Sequence, residues 1–257
     1  MIQTAPLVVQ VVALALCLWA ESFFPLFMDR KGKLRLIHIV RNATIGLVNG
    51  VVLTLGFSGL TLLAIRWGEL HQIGLLQQLS LAPGTEQVIG FLAFDLWMYL
   101  WHRANHTVPF LWRFHRMHHS DPAVDTTSAL RFHIGEMVIS SILRLAVIPL
   151  LGIPFKDLVS YELVLQPVIL FHHSNIALPE TLDRWMRLFV VSPNMHRVHH
   201  SDIPVETNSN YASIFSVWDR IWGSYQKRDT ATIRYGLKEF RDPVWQTLKG
   251  MLIQPTV

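Results

Sequence analysis

Eight of this chain's thirteen histidines fall in three five-residue windows. His102 and His106 lie in HRANH, His115, His118 and His119 in HRMHH, and His196, His199 and His200 in HRVHH. The last two windows extend to a near-repeat, HRMHHSD at 115–121 and HRVHHSD at 196–202. Residues at i, i+3 and i+4 share a helical face, so each window turns two or three imidazoles toward one point. Imidazole is a ligand for iron, copper, nickel and zinc, and eight imidazoles exceed the three or four that one zinc uses. The spacing therefore implies two metals. Packed imidazoles also make pH sensors, titrating at about pH 6.5, but sensing supplies no reason to write one spacing twice.

Other polar residues acquire roles from these windows. Asp95 and Tyr99 continue the helical face of His102 and His106, which places a carboxylate one or two turns from the ligands, where it orients one of them or relays a proton. The competing role for Asp95 is an ion pair with Arg103 or Arg144. His133 in LRFHIGE and His173 in FHHSN flank an apolar hairpin and emerge beside the clusters, so both are candidate ligands. His38 and His71 stand alone and are read as satisfied structural residues.

The elements that position these groups are apolar. Hydrophobic residues make up 51% of the 257 residues and charged residues only 16%, with a mean hydropathy of +0.33, which places much of the surface against lipid. The net charge of +4 gathers beside apolar runs, so anionic headgroups account for it and a nucleic-acid partner is not expected. Cys17, the single cysteine, lies within an apolar run, which excludes a disulfide framework and a CxxC metal site. Spans are expected at residues 5–27, with Glu21 its one charge, at 43–65 and at 82–101. The first lacks a basic n-region and is read as retained. Runs at 136–152 and 157–171, separated by Gly152 and Pro154, read as a helical hairpin. Arg30, Lys31, Lys33, Arg35 and Arg41 sit in a loop before the second span, which the positive-inside rule puts in the cytoplasm. The hairpin then returns the chain to the side it left, so both heptapeptides are cytoplasmic. The polar stretch from Ser192 onward forms a cap. The fold class is thus all-α: a multi-pass membrane bundle of about three spans plus a hairpin, with a cytoplasmic histidine-rich cap, in a single domain over 1–257 whose catalytic core covers about 88–226.

DLWMYLWHRANH, LWRFHRMHHSD, LRFHIGE, FHHSNIALP, PNMHRVHHS, ETNSNYAS and WDRIWGSY, from Asp95 to about Tyr225, resemble the ordered motifs of the fatty acid hydroxylase superfamily, the integral-membrane sterol desaturases and lipid hydroxylases. The resemblance implies a histidine-ligated di-iron centre, dioxygen as co-substrate, and electrons from outside. Its chemistry is hydrogen abstraction from an unactivated C–H bond of a lipid, ending in an alcohol or an alkene. FHHSN commonly reads FQHSN in the family, which favours His173 over His172. Asn175 in FHHSN and Asn210 in NYA join Asp95 and Tyr99 as catalytic candidates, and which of His133, His172, His173 and Asn175 completes the coordination stays open. Ala212 departs from the family's NYG. No HPGG-type segment is present, so the donor is expected to be a separate protein, cytochrome b5-like or a ferredoxin with its reductase. A bacterial inner membrane and an endoplasmic reticulum membrane fit equally well.

Three rivals fit less of the pattern. A membrane zinc hydrolase lacks its HExxH, as it lacks a GxSxG elbow. A metal transporter would carry histidines through the midplane rather than at helix ends on one side. A b-type cytochrome would use two histidines and leave six unexplained.

Overall fold

The structure, a computed structural model, describes residues 5–27 and 32–257. Its helices are α1 (Ala5–Phe23), α2 (Gly32–His71), a single turn α3 (Leu75–Gln78), α4 (Pro83–Thr107), α5 (Pro109–His119), α6 (Ile134–Leu151) and α7 (Phe155–His173). Short helices follow: α8 (Glu180–Met186), α9 (Pro193–His199), α10 (Pro204–Thr207), α11 (Val217–Ile221) and α12 (Leu248–Ile253). Among the described residues there is no strand, only isolated bridges such as Val190 to Phe215. The all-α membrane bundle is what the apolar periodicity implied.

Among the described residues three segments are long and apolar enough to cross a bilayer: Ala5–Phe23, Gly32–Gln78 and Ile134–Leu151. Two details differ from the sequence expectation. The expected third span is the helix α4, but its interior carries enough polar groups that it falls outside this set, and α6 of the hairpin takes its place. The basic stretch before the second span is not a loop from Gly32 onward: with no proline to stop it, α2 runs straight through Lys33, Arg35 and Arg41. Arg30 and Lys31 lie outside the described residues.

Helix α1 shows how the bundle is assembled. Leu7, Val8, Val11, Val12 and Leu16 face outward, and its one buried side chain is Glu21. That carboxylate accepts hydrogen bonds from Thr126 N (3.1 Å) and Oγ1 (2.8 Å), from Asn175 N (3.0 Å) and from Arg35 (3.0 Å). The charge that interrupts the apolar run is thus the knot that ties α1 to α2 and to the chain after α7. Lipid supplies little hydrophobic drive between helices, so small residues and polar bonds do the joining. A Cβ on Gly46 of α2 would sit 2.9 Å from the Cβ of Leu130, and one on Gly74 would sit 2.2 Å from the Cα of Gly152. Gly152 itself closes α6 at φ +78°, the left-handed cap that lets the hairpin reverse toward Pro154 and α7.

The break between α4 and α5 positions the first two histidine windows. Val108 precedes Pro109, is forced to an extended backbone (φ −95°, ψ 113°), and ends α4 one residue after Thr107. Pro109 then starts α5 as its first residue, and HRMHH folds back beside HRANH.

Replacing Glu21 with alanine strands the buried donors of Thr126 and Asn175 and removes a partner of Arg35, and is expected to cost about 3 kcal/mol. Thermal unfolding of the detergent-purified protein checks this, and an unchanged midpoint would contradict the role given to Glu21.

Candidate metal centre

Helices α4, α5, α7 and α9, with His200 at the C-terminal cap of α9, deliver nine imidazoles to two adjoining groups. In the first, the ring nitrogens of His102, His106, His115, His119 and His199 lie within 4.8 Å of one another; in the second, those of His118, His173, His196 and His200 do. Each heptapeptide is divided between the groups. His115 and His119 enter the first group and His118 the second, whereas His196 and His200 enter the second and His199 the first. The stacked rings of His119 and His200, with centroids 4.5 Å apart, join the two.

The remaining letters of the heptapeptides hold these helices in place. Arg197, almost wholly buried, donates to the carbonyls of Ser174 (2.8 Å) and Ile176 (2.6 Å) and so draws α9 against the end of α7. Arg116 donates to the carbonyls of Gln254 and Val257, drawing the C-terminal segment against α5. Ser120 Oγ accepts from Arg131 (2.9 Å), whose Nε also takes the carbonyl of Met117 (3.0 Å), so a buried guanidinium caps the C-terminus of α5. Asp121 binds His38 (2.9 Å) and Asp202 binds Arg241 (2.5 Å). His38 is thereby the satisfied structural histidine its isolation suggested.

Hydrogen bonds fix which nitrogen each ring offers. His102 Nδ1 donates to the carbonyl of Tyr211 (2.7 Å) and His199 Nδ1 to that of Ser209 (2.6 Å). A carbonyl only accepts, so both neutral rings carry their lone pair on Nε2. Those two nitrogens nevertheless face each other at 3.1 Å. In the second group His173 Nδ1 donates to the carbonyl of Ile169 (2.7 Å), while its Nε2 faces His118 Nε2 at 3.1 Å and His196 Nε2 at 3.0 Å. Two lone pairs at such a distance repel unless a cation lies between them. A proton is a poor choice of cation here, because burial first, and neighbouring imidazoles second, hold His118, His119, His196 and His199 well below the ordinary histidine range. Burial likewise lowers His200. Two nitrogens each about 2.1 Å from a shared ion and at right angles lie about 3.0 Å apart, so the spacing fits a metal. The donor set, all imidazole in reach, suits iron, copper, nickel or zinc.

His115 Nδ1 is held by Glu136 Oε1 at 2.9 Å, at the start of α6. The second oxygen of Glu136 is buried with no partner, and the residue lines a cavity of about 340 Å³ that ends on His102, His115, His118 and His173. The sequence reading missed Glu136; the GE dipeptide after His133 was its only signal, and nothing in linear spacing pairs residue 136 with 115. His106 is oriented by Asn208 Oδ1 (3.2 Å), also unforeseen.

Several expected site residues serve elsewhere. Asp95 neither reaches a ligand nor pairs with Arg103 or Arg144: its carboxylate takes hydrogen bonds from Tyr161 Oη (2.8 Å), Trp218 Nε1 (2.8 Å) and Phe215 N (3.1 Å), tying α4 to α7 and α11. Tyr99 bonds Ser224 Oγ (2.8 Å) and packs on Tyr211, behind the ligand carbonyls. Asn175 holds the backbone N–H (3.1 Å) and carbonyl (3.1 Å) of Phe27, so both polar atoms of its side chain are engaged with Phe27. Asn210 takes the left-handed backbone (φ +52°) and bonds Met195 O and both polar backbone groups of Gln226, shaping the loop that presents the carbonyls of Ser209 and Tyr211. Because Asn210 holds the strained position, Ala212 needs no glycine freedom and simply donates its N–H to Asp219 (3.0 Å). His133 lies outside both groups: its Nδ1 caps α6 by accepting from Gly135 N (2.9 Å) and its Nε2 meets the carbonyl of Leu252 (3.1 Å). His172 is buried against His196, with ring centroids 4.0 Å apart, and also stays outside the groups.

The fatty acid hydroxylase family profile matches residues 87–224, more than half of the chain. An ornithine lipid hydroxylase of Rhizobium tropici is 30% identical over 54% of this chain and 41% of its own length. The alkylglycerol monooxygenase of Danio rerio is 31% identical over 58% of this chain and 32% of its own. Human cholesterol 25-hydroxylase is 26% identical over 52% of this chain and 48% of its own. The chain therefore spans less than half the length of these relatives. No solved structure matches it.

Metal analysis of the purified protein and its variants tests the assignment of ligands. His133→Ala is expected to retain the full metal complement, whereas His119→Ala and His200→Ala lose metal. Glu136→Gln, which keeps the shape but not the charge behind His115, is expected to weaken metal retention about 10- to 100-fold.

Proposed function

The chain belongs to the fatty acid hydroxylase family, and on that premise we propose that it is a membrane-bound di-iron oxygenase that hydroxylates an unactivated C–H position of a lipid. The observation that carries this reading is the convergence of nine imidazoles, eight of them buried and His102 half-buried, at the end of a cavity that opens among membrane helices. Iron held by His102, His106, His115, His119 and His199 and by His118, His173, His196 and His200 would supply dioxygen activation, drawing electrons from a separate cytochrome b5-like or ferredoxin-type protein.

The chain's own residues do the rest. Carbonyls of Tyr211, Ser209 and Ile169 and the carboxylate of Glu136 fix the tautomer of their rings and raise ligand basicity. Leu165, Ile169, Met98, Trp101 and Phe132 line the approach, so an apolar chain enters and bulk water does not. Glu136 keeps one oxygen free at that wall, where it can hold a proton beside the ligand His115. Oxygen insertion is favoured over desaturation because the relatives are named as hydroxylases and a monooxygenase.

The reading also places the centre on the cytoplasmic side. Its support is the bond from His38 to Asp121, which sets the basic end of α2, with Lys33, Arg35 and Arg41, beside the heptapeptide.

The purified protein is expected to hold about two irons per chain, and lipid mass spectrometry of cells with and without it is expected to show a species gaining one oxygen atom. His118→Ala or His199→Ala should abolish that species while the protein still inserts. A single zinc with no iron, or full activity in either variant, would sink the reading.

A further inference from the structure

The cavity beneath the metal centre has apolar walls broken by a polar far end. There Gln10 of α1, Gln166 and Glu162 of α7 and Arg144 of α6 all line it. They form one continuous chain: Gln10 Nε2 donates to Gln166 Oε1 (3.1 Å), Gln166 Nε2 to Glu162 Oε2 (3.0 Å), and Arg144 Nη2 to Glu162 Oε1 (2.6 Å). Gln10 and Arg144 sit inside helices apolar enough to cross a bilayer, where polar and charged groups are expensive and mark a path for substrate or ions. A staple for the α6–α7 hairpin would need only Arg144 and Glu162. The chain instead continues through two amides to α1, a helix otherwise turned toward lipid.

Position gives the chain a distance. Gln166 and Glu162 precede the ligand His173 by seven and eleven residues of α7, about 10 and 16 Å at about 1.5 Å per residue. Charge gives it a preference. Glu162 and Arg144 already balance one another, so a carboxylate or phosphate in the cavity would take Arg144 away and strand Glu162 in an apolar wall. An uncharged hydroxyl meets no such penalty: the amide oxygens keep a second lone pair to accept its proton, and Gln10 and Arg144 keep N–H groups to donate to it.

We propose that this polar end recognises the hydroxyl of an elongated, uncharged lipid and so sets which distant carbon lies beneath the metal centre. The proposal rests on the oxygenase reading above. Sterols and long-chain alcohols share this chemistry, and the probes separate them.

Binding is measured by native mass spectrometry on the purified full chain, without turnover, for two pairs: cholestanol against cholestane, and hexadecanol against hexadecane. In at least one pair the hydroxylated member is expected to bind about tenfold more tightly, the worth of one to two well-placed hydrogen bonds. The pair that shows the preference identifies the skeleton. Palmitic acid is expected to bind no better than hexadecanol. The combined variant Arg144→Met, Glu162→Met and Gln166→Leu should lose the preference while keeping its affinity for the parent hydrocarbon, an outcome that loss of a mere helix staple would not give. Gln166→Leu alone leaves the ion pair in place and reads the same preference should the combined variant not fold. Equal binding within both pairs, or an undiminished preference in both variants, would overturn the proposal. Iron and oxygenated product without any hydroxyl preference would remove this inference alone, whereas a clear preference in a protein without iron or product would remove the oxygenase reading instead.

Discussion

Everything in this fold answers to one electrostatic constraint: neutral imidazoles buried with their lone pairs aimed at each other repel. His102 and His199 show it in its barest form, since both Nδ1 protons are spent on carbonyls and both Nε2 atoms are left facing across 3.1 Å. Such a contact is tolerable around a cation and unfavourable without one. The protein spends a good deal of structure on sustaining it, including the loop turned by Asn210, the carboxylate of Glu136 and the buried guanidinium groups of Arg131 and Arg197. None of these groups is one of the nine imidazoles, yet each keeps an imidazole from turning away or a helix that bears one from leaving.

The membrane part of the bundle is built on the opposite economy. Leu55 of α2 is 82% exposed, and α1 buries only a charged residue. Apolar side chains that would make a core in water face lipid here, so helix contacts fall to glycines and to polar knots such as those of Glu21 and Asp95. The two charges that look most out of place in apolar runs are therefore both joints.

This explains what could be read from the sequence and what could not. Helical spacing within HRANH, HRMHH and HRVHH finds shared faces, and the breakers Gly152 and Pro154 find the hairpin, because both depend on residues close in the chain. Spacing cannot say what a face meets. Asp95 does lie one or two turns from His102, but its helix turns it toward Tyr161 and Trp218. His133 has the right residue type and the right neighbourhood, yet it is consumed in capping α6. Glu136 and the carbonyls of Ser209 and Tyr211 were illegible for the same reason: their partners lie 21, 10 and 109 residues away, beyond any helical spacing, and a backbone carbonyl has no letter of its own. The division of each heptapeptide between two groups was likewise hidden, since a linear repeat looks like one unit used twice.

That division imposes an order on biogenesis. Because α5 and α9 each give rings to both groups, and α6 and α7 lie between them in the chain, no complete group exists on a nascent fragment. The last histidines arrive only after the hairpin has been inserted and the chain has returned. A chain stalled before α9 would hold four of the five rings of the first group and two of the four of the second, so the segment that follows the hairpin completes both.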